Sequence, residues 1–377
     1  MSDEEHMRAA LALAARGLGN TWPNPSVGCV IVRDGRVVGR GHTRPGGRPH
    51  AETEALRAAT GHTRGATAYV TLEPCCHWGR TPPCTDALIA AGVARVVVAL
   101  RDPDPRVDGV GFQRLRDAGI TVEQGLLEEE ARRVNAGFIK RFERGLPMVT
   151  LKLATTLDGR IASRTGESQW ITGPEARRLA HALRGSHDAV MAGSGTLLAD
   201  DPELTCRLPG YAPLPTVRVI ADARLRTPLG ARLFSAAAPA WIVTRPGHDP
   251  AALAALEQRG AEFLEVPAAP QGGLEPEALL RALAARGITR LMVEGGAVLG
   301  ASLLRAGLVD RLAWFTAPSL MGGDGLAGLG SLGVDHLAQM PRLRITGRRP
   351  AGNCWLIEAD LLPSPGVTQP PTSAQTG

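Results

Sequence analysis

Residues 74–84 read PCCHWGRTPPC, and residues 50–52 read HAE. Three of the chain's six cysteines fall within that stretch of eleven residues, two of them adjacent. A disulfide, a structural metal and a catalytic metal all gather cysteines, and the rest of the sequence has to choose between them. The chain has 377 residues, of which 44% are hydrophobic. That length suggests two domains, and that composition allows sizeable cores. No uncharged apolar run reaches the roughly 18 residues of a membrane span, so no membrane partner is expected. The stretch MSDEEHMRAALALAARGL starts acidic and becomes amphipathic, with Met7, Leu11, Ala14 and Leu18 on one helical face. A secretory leader would instead be basic and then continuously apolar. A cytoplasmic protein is expected. In a reducing compartment, clustered cysteines more often bind metal or do chemistry than form disulfides.

The net charge of +5 is mild for this length and is spread out, and aromatics make up only 4% of the chain. Basic patches with interleaved aromatics would mark a nucleic-acid surface. None is present, so no nucleic-acid partner is expected, while small anionic ligands suit the excess. Lysine occurs only at Lys140 and Lys152, against forty arginines. The two side chains are not chemically equivalent, so a retained lysine carries some information.

From Val27 to about residue 127, strands alternate with helices: VGCVIV and VVGRG around an Asp34-Gly35 hairpin signal, then AETEALRAA, AYVTL, TDALIAAG, ARVVVAL and ITVEQ. This alternation implies an α/β sheet covered on both faces. A second series begins after FERGLPM: VTLKLA, DAVMAG, TVRVIAD, AWIVTR, AEFLEVP, RLMVEGG and DRLAWFTA. An antiparallel pair, LRITGRR and NCWLIEADL, closes it. The expected domains are 1–146 and 147–362. The tail 363–377 is rich in Pro, Ser, Thr and Gln and is expected to be disordered.

His-x-Glu, then Pro-Cys, then a further Cys is the signature of zinc nucleobase deaminases. One imidazole and two thiolates hold Zn²⁺ in three positions and leave a fourth for water. His50, Cys75 and Cys84 are the expected ligands. Cys75 follows Pro74 at a strand exit, and Cys84 precedes a helix whose amides favour a thiolate. Glu52 is not needed as a ligand and is the expected proton carrier. Cys76 would point elsewhere, although a closed four-ligand site would recruit it or His77. The eight residues between Cys75 and Cys84, against two in the common form, either weaken the match or mark a subfamily. Cys29, Cys206 and Cys354 show no partner pattern.

PCCHWGRTPPCTDALIAAGV, with TWPNPSVGCVIV and HAETEAL, closely resembles the bifunctional deaminase/reductase family of riboflavin biosynthesis. LKLATTLDGRIA, SQWITGPEAR, VMAGSGTLLADDPELTCR and VEGGAVLGASLL resemble that family's reductase half. The resemblance implies an N-terminal cytidine-deaminase-like α/β/α domain and a C-terminal dihydrofolate-reductase-like doubly wound domain. It implies zinc-dependent deamination of 2,5-diamino-6-(5-phosphoribosylamino)pyrimidin-4-one. NADPH-dependent reduction of the ribosyl group to ribityl would follow. The family pattern carries the zinc ligands onto His50, Cys75 and Cys84, and the proton shuttle onto Glu52. Pyrimidine and phosphate contacts fall on Asn24, His42, His77 and Arg80.

In the reductase half, the resemblance places NADPH on Ala154, Trp170, Thr196, Asp200 and the glycine turn of Gly296 and Gly300. It places substrate on Lys152, Ser168, Arg184, Leu204, Arg207 and Glu294. Arg184 and Arg207 could grip the phosphate bidentately. The residues taken alone allow plainer readings: a tight strand–helix turn at VEGG, a core aromatic at Trp170, and a charge complementing a helix end at Arg184. Thr172-Gly-Pro-Glu175 reads as a structural capping box. A homo-oligomer is expected. Two competing readings are a deaminase of another nucleobase or nucleoside with an unrelated second domain, and a zinc-stabilised non-catalytic scaffold.

Overall fold

The computed structural model describes residues 1–210, 214–235 and 238–363. The tail expected to be disordered lies, from residue 364 onward, outside the described residues. Helix α1 (Asp3–Ala15) starts in a capping box: the Ser2 hydroxyl accepts from the Glu5 amide, and the Glu5 carboxylate accepts from the Ser2 amide. Met7, Ala10, Leu11 and Ala14 bury its inner face, while Leu18 lies beyond its end.

Strands β1 (Gly28–Arg33) and β2 (Arg36–His42) form the expected hairpin. Asp34 and Gly35 both have positive φ, 49° and 71°, as a two-residue turn of matching twist requires. Helix α2 (Ala51–Ala58), β3 (Thr67–Val70), α3 (Cys84–Ala90), β4 (Arg95–Val98), α4 (Val110–Asp117) and β5 (Thr121–Gln124) complete the first unit. The sheet order is β2-β1-β3-β4-β5.

Two glycines fix its layers. A Cβ on Gly28 would lie 1.9 Å from Ala10 O in α1, and one on Gly41 would lie 2.2 Å from Ala51 O in α2. Gly41 pairs with Cys29, the next residue after Gly28. Adjacent strand residues face opposite sides, so α1 and α2 cover opposite faces of the sheet.

Helices α5 (Glu128–Val134) and α6 (Ala136–Arg144) lead to the second unit. Phe138 and Ile139 of α6 join the first core. Lys140 pairs with Asp310 at 2.6 Å, and Arg141 Nε donates to Ala284 O, so the same helix faces both units. One of the chain's two lysines therefore serves this junction.

The second unit holds β6 (Met148–Thr156), β7 (Arg160–Ala162), α7 (Pro174–Gly185), β8 (Ala189–Gly193), α8 (Ser194–Asp200), β9 (Val217–Ala221) and β10 (Ala240–Thr244). Next come α9 (Pro250–Glu257), β11 (Ala261–Glu265), α10 (Pro276–Ala285), β12 (Arg290–Glu294) and α11 (Ala297–Arg305). The last are β13 (Arg311–Ala317), β14 (Leu326–Ala327), β15 (Leu343–Ala351) and β16 (Cys354–Leu361). Nine strands form one sheet, ordered β11-β10-β9-β8-β12-β6-β13-β16-β15. It is parallel through β13, and β16 and β15 add the expected antiparallel pair. Every residue of β12 is buried, as expected of a central parallel strand covered on both faces. In such a sheet, ligands sit beyond the strands' carboxyl ends, where the chain order reverses. Here that point is the meeting of β8, β12 and β6.

The capping box expected at Thr172 does not form. Helix α7 begins at Pro174 with Gly173 as its N-cap and no side-chain cap. Proline is pre-organised for the first helical position, which places Thr172 outside the helix.

Candidate active sites

The first site is built where β3 ends and where α2 and α3 begin. His50 is the N-cap of α2, and Glu52 lies in its first turn. Cys84 is the first residue of α3, and its amide donates to Cys75 Sγ at 3.3 Å. Thr85 donates twice to Cys75 O, from its amide and its hydroxyl, which pins the cysteine loop to the same helix start. His50 Nδ1 is 3.3 Å from Cys84 Sγ and 3.6 Å from Cys75 Sγ. The three donor atoms lie within 4.8 Å of one another.

That set, one imidazole and two sulfurs converging on one point, suits a zinc ion with one position left open. Hydrogen bonds from Cys84 and His50 hold the Cys75 thiol down to about 4, so it is a thiolate at neutral pH. Glu52 is 3% exposed, and burial pushes its carboxyl up to about 7. It can therefore both take and give a proton near neutrality. Cys76 points away, with its Sγ 3.5 Å from Arg106 O, and takes no place in the cluster.

The expected substrate contacts lie on β2, on the segment before β1 and on the cysteine loop. His42 pairs with Gly28, whose amide donates to Thr71 Oγ1 just past β3. Asn24 lies against Gly47, where an added Cβ would fall 2.0 Å from Asn24 Nδ2. His77 and Arg80 sit on the cysteine loop. The His77 Nδ1 atom is buried without a partner, and Arg80 is exposed. Arg48 braces the loop by donating to Thr81 Oγ1 at 2.5 Å.

Sequence reasoning missed Glu73. Its carboxylate accepts from the amides of Asp102, Gly109 and Phe112, which ties the loop after β4 to the cysteine loop. A carboxylate just past an apolar strand was the available signal.

The second site lies at the carboxyl ends of β8, β12 and β6. Glu294 ends β12, and its register partner on β6 is Lys152. Lys152 Nζ is 3.6 Å from Glu294, and Arg184 of α7 holds both of its oxygens, at 2.5 and 2.8 Å. Burial favours the neutral acid, but Arg184 and Lys152 outweigh it and hold Glu294 at about 2. Arg184 NH1 also donates to Thr205 O.

The guanidinium of Arg184 is thus taken up by protein groups. Its Nε, NH1 and NH2 each reach one of these groups. Arg207 remains more exposed, bonded to Glu203 and near His181. Leu204 is 2% exposed, with its side chain in a core beneath α8 and its backbone at φ 54°. Only its backbone is available to a ligand.

Gly295 and Gly296 form the turn after β12, at φ 72° and 83°, with the Thr196 side chain against both. Gly296 is the N-cap of α11. Gly300 has a different task. A Cβ there would lie 3.3 Å from Leu151 of β6, so this buried glycine lets α11 pack onto the sheet. It lies one turn inside the helix, on the face toward the sheet.

Ser168 donates to Asp200 at 3.0 Å. Trp170 is 67% exposed, with the Arg177 guanidinium 4.5 Å over its ring, so it is not a core aromatic. Ala154 of β6 is half-buried beside these loops. Sequence reasoning also missed His181, which contacts both Thr205 and Arg207. Its position three residues before Arg184 on one helix was the only signal.

Residues 147–356 match the model of the RibD C-terminal domain, and residues 1–100 match that of the cytidine and deoxycytidylate deaminase zinc-binding region. The chain is 45% identical over 366 residues to the riboflavin biosynthesis protein RibD of Escherichia coli, covering 93% of this chain and 97% of that protein. It is 43% identical over 343 residues to that of Aquifex aeolicus, covering 91% and 94%. The solved structure of Acinetobacter baumannii RibD matches with a TM-score of 0.86 at 38% identity, covering 96% of this chain and 99% of that one. A Thermotoga maritima diaminohydroxyphosphoribosylaminopyrimidine deaminase/5-amino-6-(5-phosphoribosylamino)uracil reductase matches with a TM-score of 0.84 at 35% identity, again covering 96% and 99%.

Proposed function

The chain belongs to the RibD family of riboflavin biosynthesis, and from that premise we propose how its two sites divide the work. It is a bifunctional enzyme, a zinc-binding deaminase joined to a reductase. The observation that carries the finer reading is the convergence of His50, Cys75 and Cys84 beside a buried Glu52.

The deaminase substrate is 2,5-diamino-6-(5-phosphoribosylamino)pyrimidin-4-one. His50, Cys75 and Cys84 hold the zinc. A zinc ion there supplies Lewis acidity and makes hydroxide available near neutral pH. Glu52 takes a proton from the attacking water and delivers it to the leaving amino group, which departs as ammonia. Asn24 and His42 orient the pyrimidine, and His77 and Arg80 meet the phosphoribosyl arm.

The reductase cofactor is NADPH, which supplies hydride. Thr196, the turn at Gly295 and Gly296, Asp200, Ala154 and Trp170 hold it. The glycine turn fits this task because Gly295 and Gly296 present backbone without side chains of their own at the α11 start. Glu294 and Lys152 meet the substrate, with Ser168, the Leu204 backbone and Arg207 around it. Arg184 keeps the Glu294 carboxylate ionised and aimed.

A cytoplasmic setting and a homo-oligomer belong to the same reading. Leu343 and Ile345 are exposed on the edge strand β15, on a side where a second copy could cover them. Among the described residues, no helix is long and apolar enough to cross a membrane.

A coupled assay tests the reading. The purified enzyme receives the diaminopyrimidine substrate and NADPH, and ammonia release and NADPH oxidation are followed together. Both signals are expected. A Glu52→Gln variant should lose both, yet oxidise NADPH when given the already deaminated pyrimidine. Ammonia without NADPH oxidation would remove the reductase assignment.

A further inference from the structure

His181 lies on α7 three residues before Arg184, so the two share a face of the helix. That face is turned toward the segment from Glu203 to Arg207. Thr205 O lies 2.9 Å from Arg184 NH1 and 3.1 Å from His181 Nδ1. Arg207 NH2 approaches His181 Nε2 at 3.4 Å, and the Arg207 amide lies 3.2 Å from Nδ1.

The ring meets Arg207 at both nitrogens: the Arg207 amide donates toward Nδ1, and the guanidinium faces Nε2. Thr205 O accepts from Arg184 NH1 and lies 3.1 Å from Nδ1. A neutral imidazole donates from one nitrogen and accepts at the other. The Cys206 thiol closes the contact from the other side by donating to His181 O at 3.2 Å.

The ring's surroundings favour this neutral form. Burial, then Arg184 and Arg207, push His181 down to about 4. Glu294 opposes them but is itself held by Arg184 and Lys152, and Glu203 is bonded to Arg207 and Arg232.

We propose that His181 is a positioning residue of the reductase site: its ring fastens the Thr205–Arg207 segment onto α7 and aims the Arg207 guanidinium at the substrate's phosphate. The proposal rests on the reading that Arg207 meets that phosphate. The segment has reason to need fastening. Leu204 sits in the left-handed backbone region at φ 54°, a conformation that persists only where the surroundings hold it. His181 acts here through Thr205 and Arg207, so its loss should loosen substrate binding more than it slows the chemistry.

The test uses the whole enzyme with the deaminated phosphoribosyl substrate, comparing His181→Ala and His181→Gln. Glutamine offers a donor for Thr205 O and an acceptor for Arg207. For His181→Ala we expect KM for the pyrimidine to rise about tenfold, with kcat within about threefold. NADPH affinity, measured by direct titration, and ammonia release from the first site should stay unchanged. His181→Gln should recover most of the KM. A fall in kcat at unchanged KM, a parallel loss of NADPH binding, or no recovery with glutamine would each overturn the proposal. If the unaltered enzyme fails to oxidise NADPH in the same assay, the functional reading itself falls, and this inference falls with it.

Discussion

The Glu294 carboxylate is gripped by both arms of the Arg184 guanidinium, Nε to Oε1 at 2.5 Å and NH2 to Oε2 at 2.8 Å. The pair joins the end of a central strand to the last turn of α7, and Lys152 sits on its other side. Removing one member of such a buried set strands the others without compensation. Glu294→Gln should therefore abolish reduction and destabilise the fold by about 3–5 kcal/mol, while ammonia release persists at temperatures below the lowered melting point.

The same pair sets a pH dependence. Glu294 is held at about 2, against an ordinary 4.5, because Arg184 and Lys152 outweigh the cost of burial. Folding thus favours the ionised form. Its stabilisation is complete above about 4.5 and is lost as pH falls toward about 2. Melting curves of the parent and Glu294→Gln should differ by a constant gap above pH 5, and that gap should shrink steadily in acid. A gap independent of pH down to pH 3 would contradict the ion-pair account.

The cysteines can be separated by metal content. Cys75→Ser and Cys84→Ser should each lose most of the bound zinc and all ammonia release. Cys76→Ser, whose sulfur faces Arg106 O, should keep one zinc per chain and a rate within about threefold of the parent, as expected of a substitution away from the ligand set. Zinc loss in Cys76→Ser would show that a fourth protein ligand closes the site.

Gly296 and Gly300 should fail differently. Gly300→Val pushes a side chain toward Leu151 and should cost about 1–3 kcal/mol of stability by overpacking. NADPH affinity in the surviving folded protein should be little changed. Gly296→Ala forces a Cβ into φ 83°, costing about 1–2 kcal/mol, and should weaken NADPH directly. Equal loss of NADPH affinity in both variants would return Gly300 to the cofactor site.

Trp170 is exposed and stacked by Arg177, so it adds little to the core. Trp170→Ala should leave the melting temperature within a degree or two, as surface changes typically do. It should weaken NADPH about fivefold or more, as read by titration of the reduced nicotinamide fluorescence. An unchanged affinity would remove this residue from the cofactor site.

The sequence by itself determined the zinc cluster and the succession of elements. His50-x-Glu52 and the cysteine loop are local patterns, in which a strand exit and two helix starts bring the donors together within a few residues of each. The hairpin at Asp34-Gly35 and the seven parallel strands of the second sheet were equally legible, because turn chemistry and buried-strand composition are written residue by residue, whereas the short β7 and β14 were not read.

Tertiary structure alone decided which long-range partners each charge would find. Nothing within α7 says that Arg184 will meet Glu294 from β12, or that His181 will meet Thr205. Those contacts depend on where the sheet order places β12, between β8 and β6. Likewise, VEGGAVLG shows two glycines for a turn and a third close by. Only the packing of α11 on β6 shows that Gly296 shapes a backbone turn while Gly300 makes room for Leu151. A missing side chain can serve either purpose, and the neighbour that needs the space comes from a strand far away in sequence.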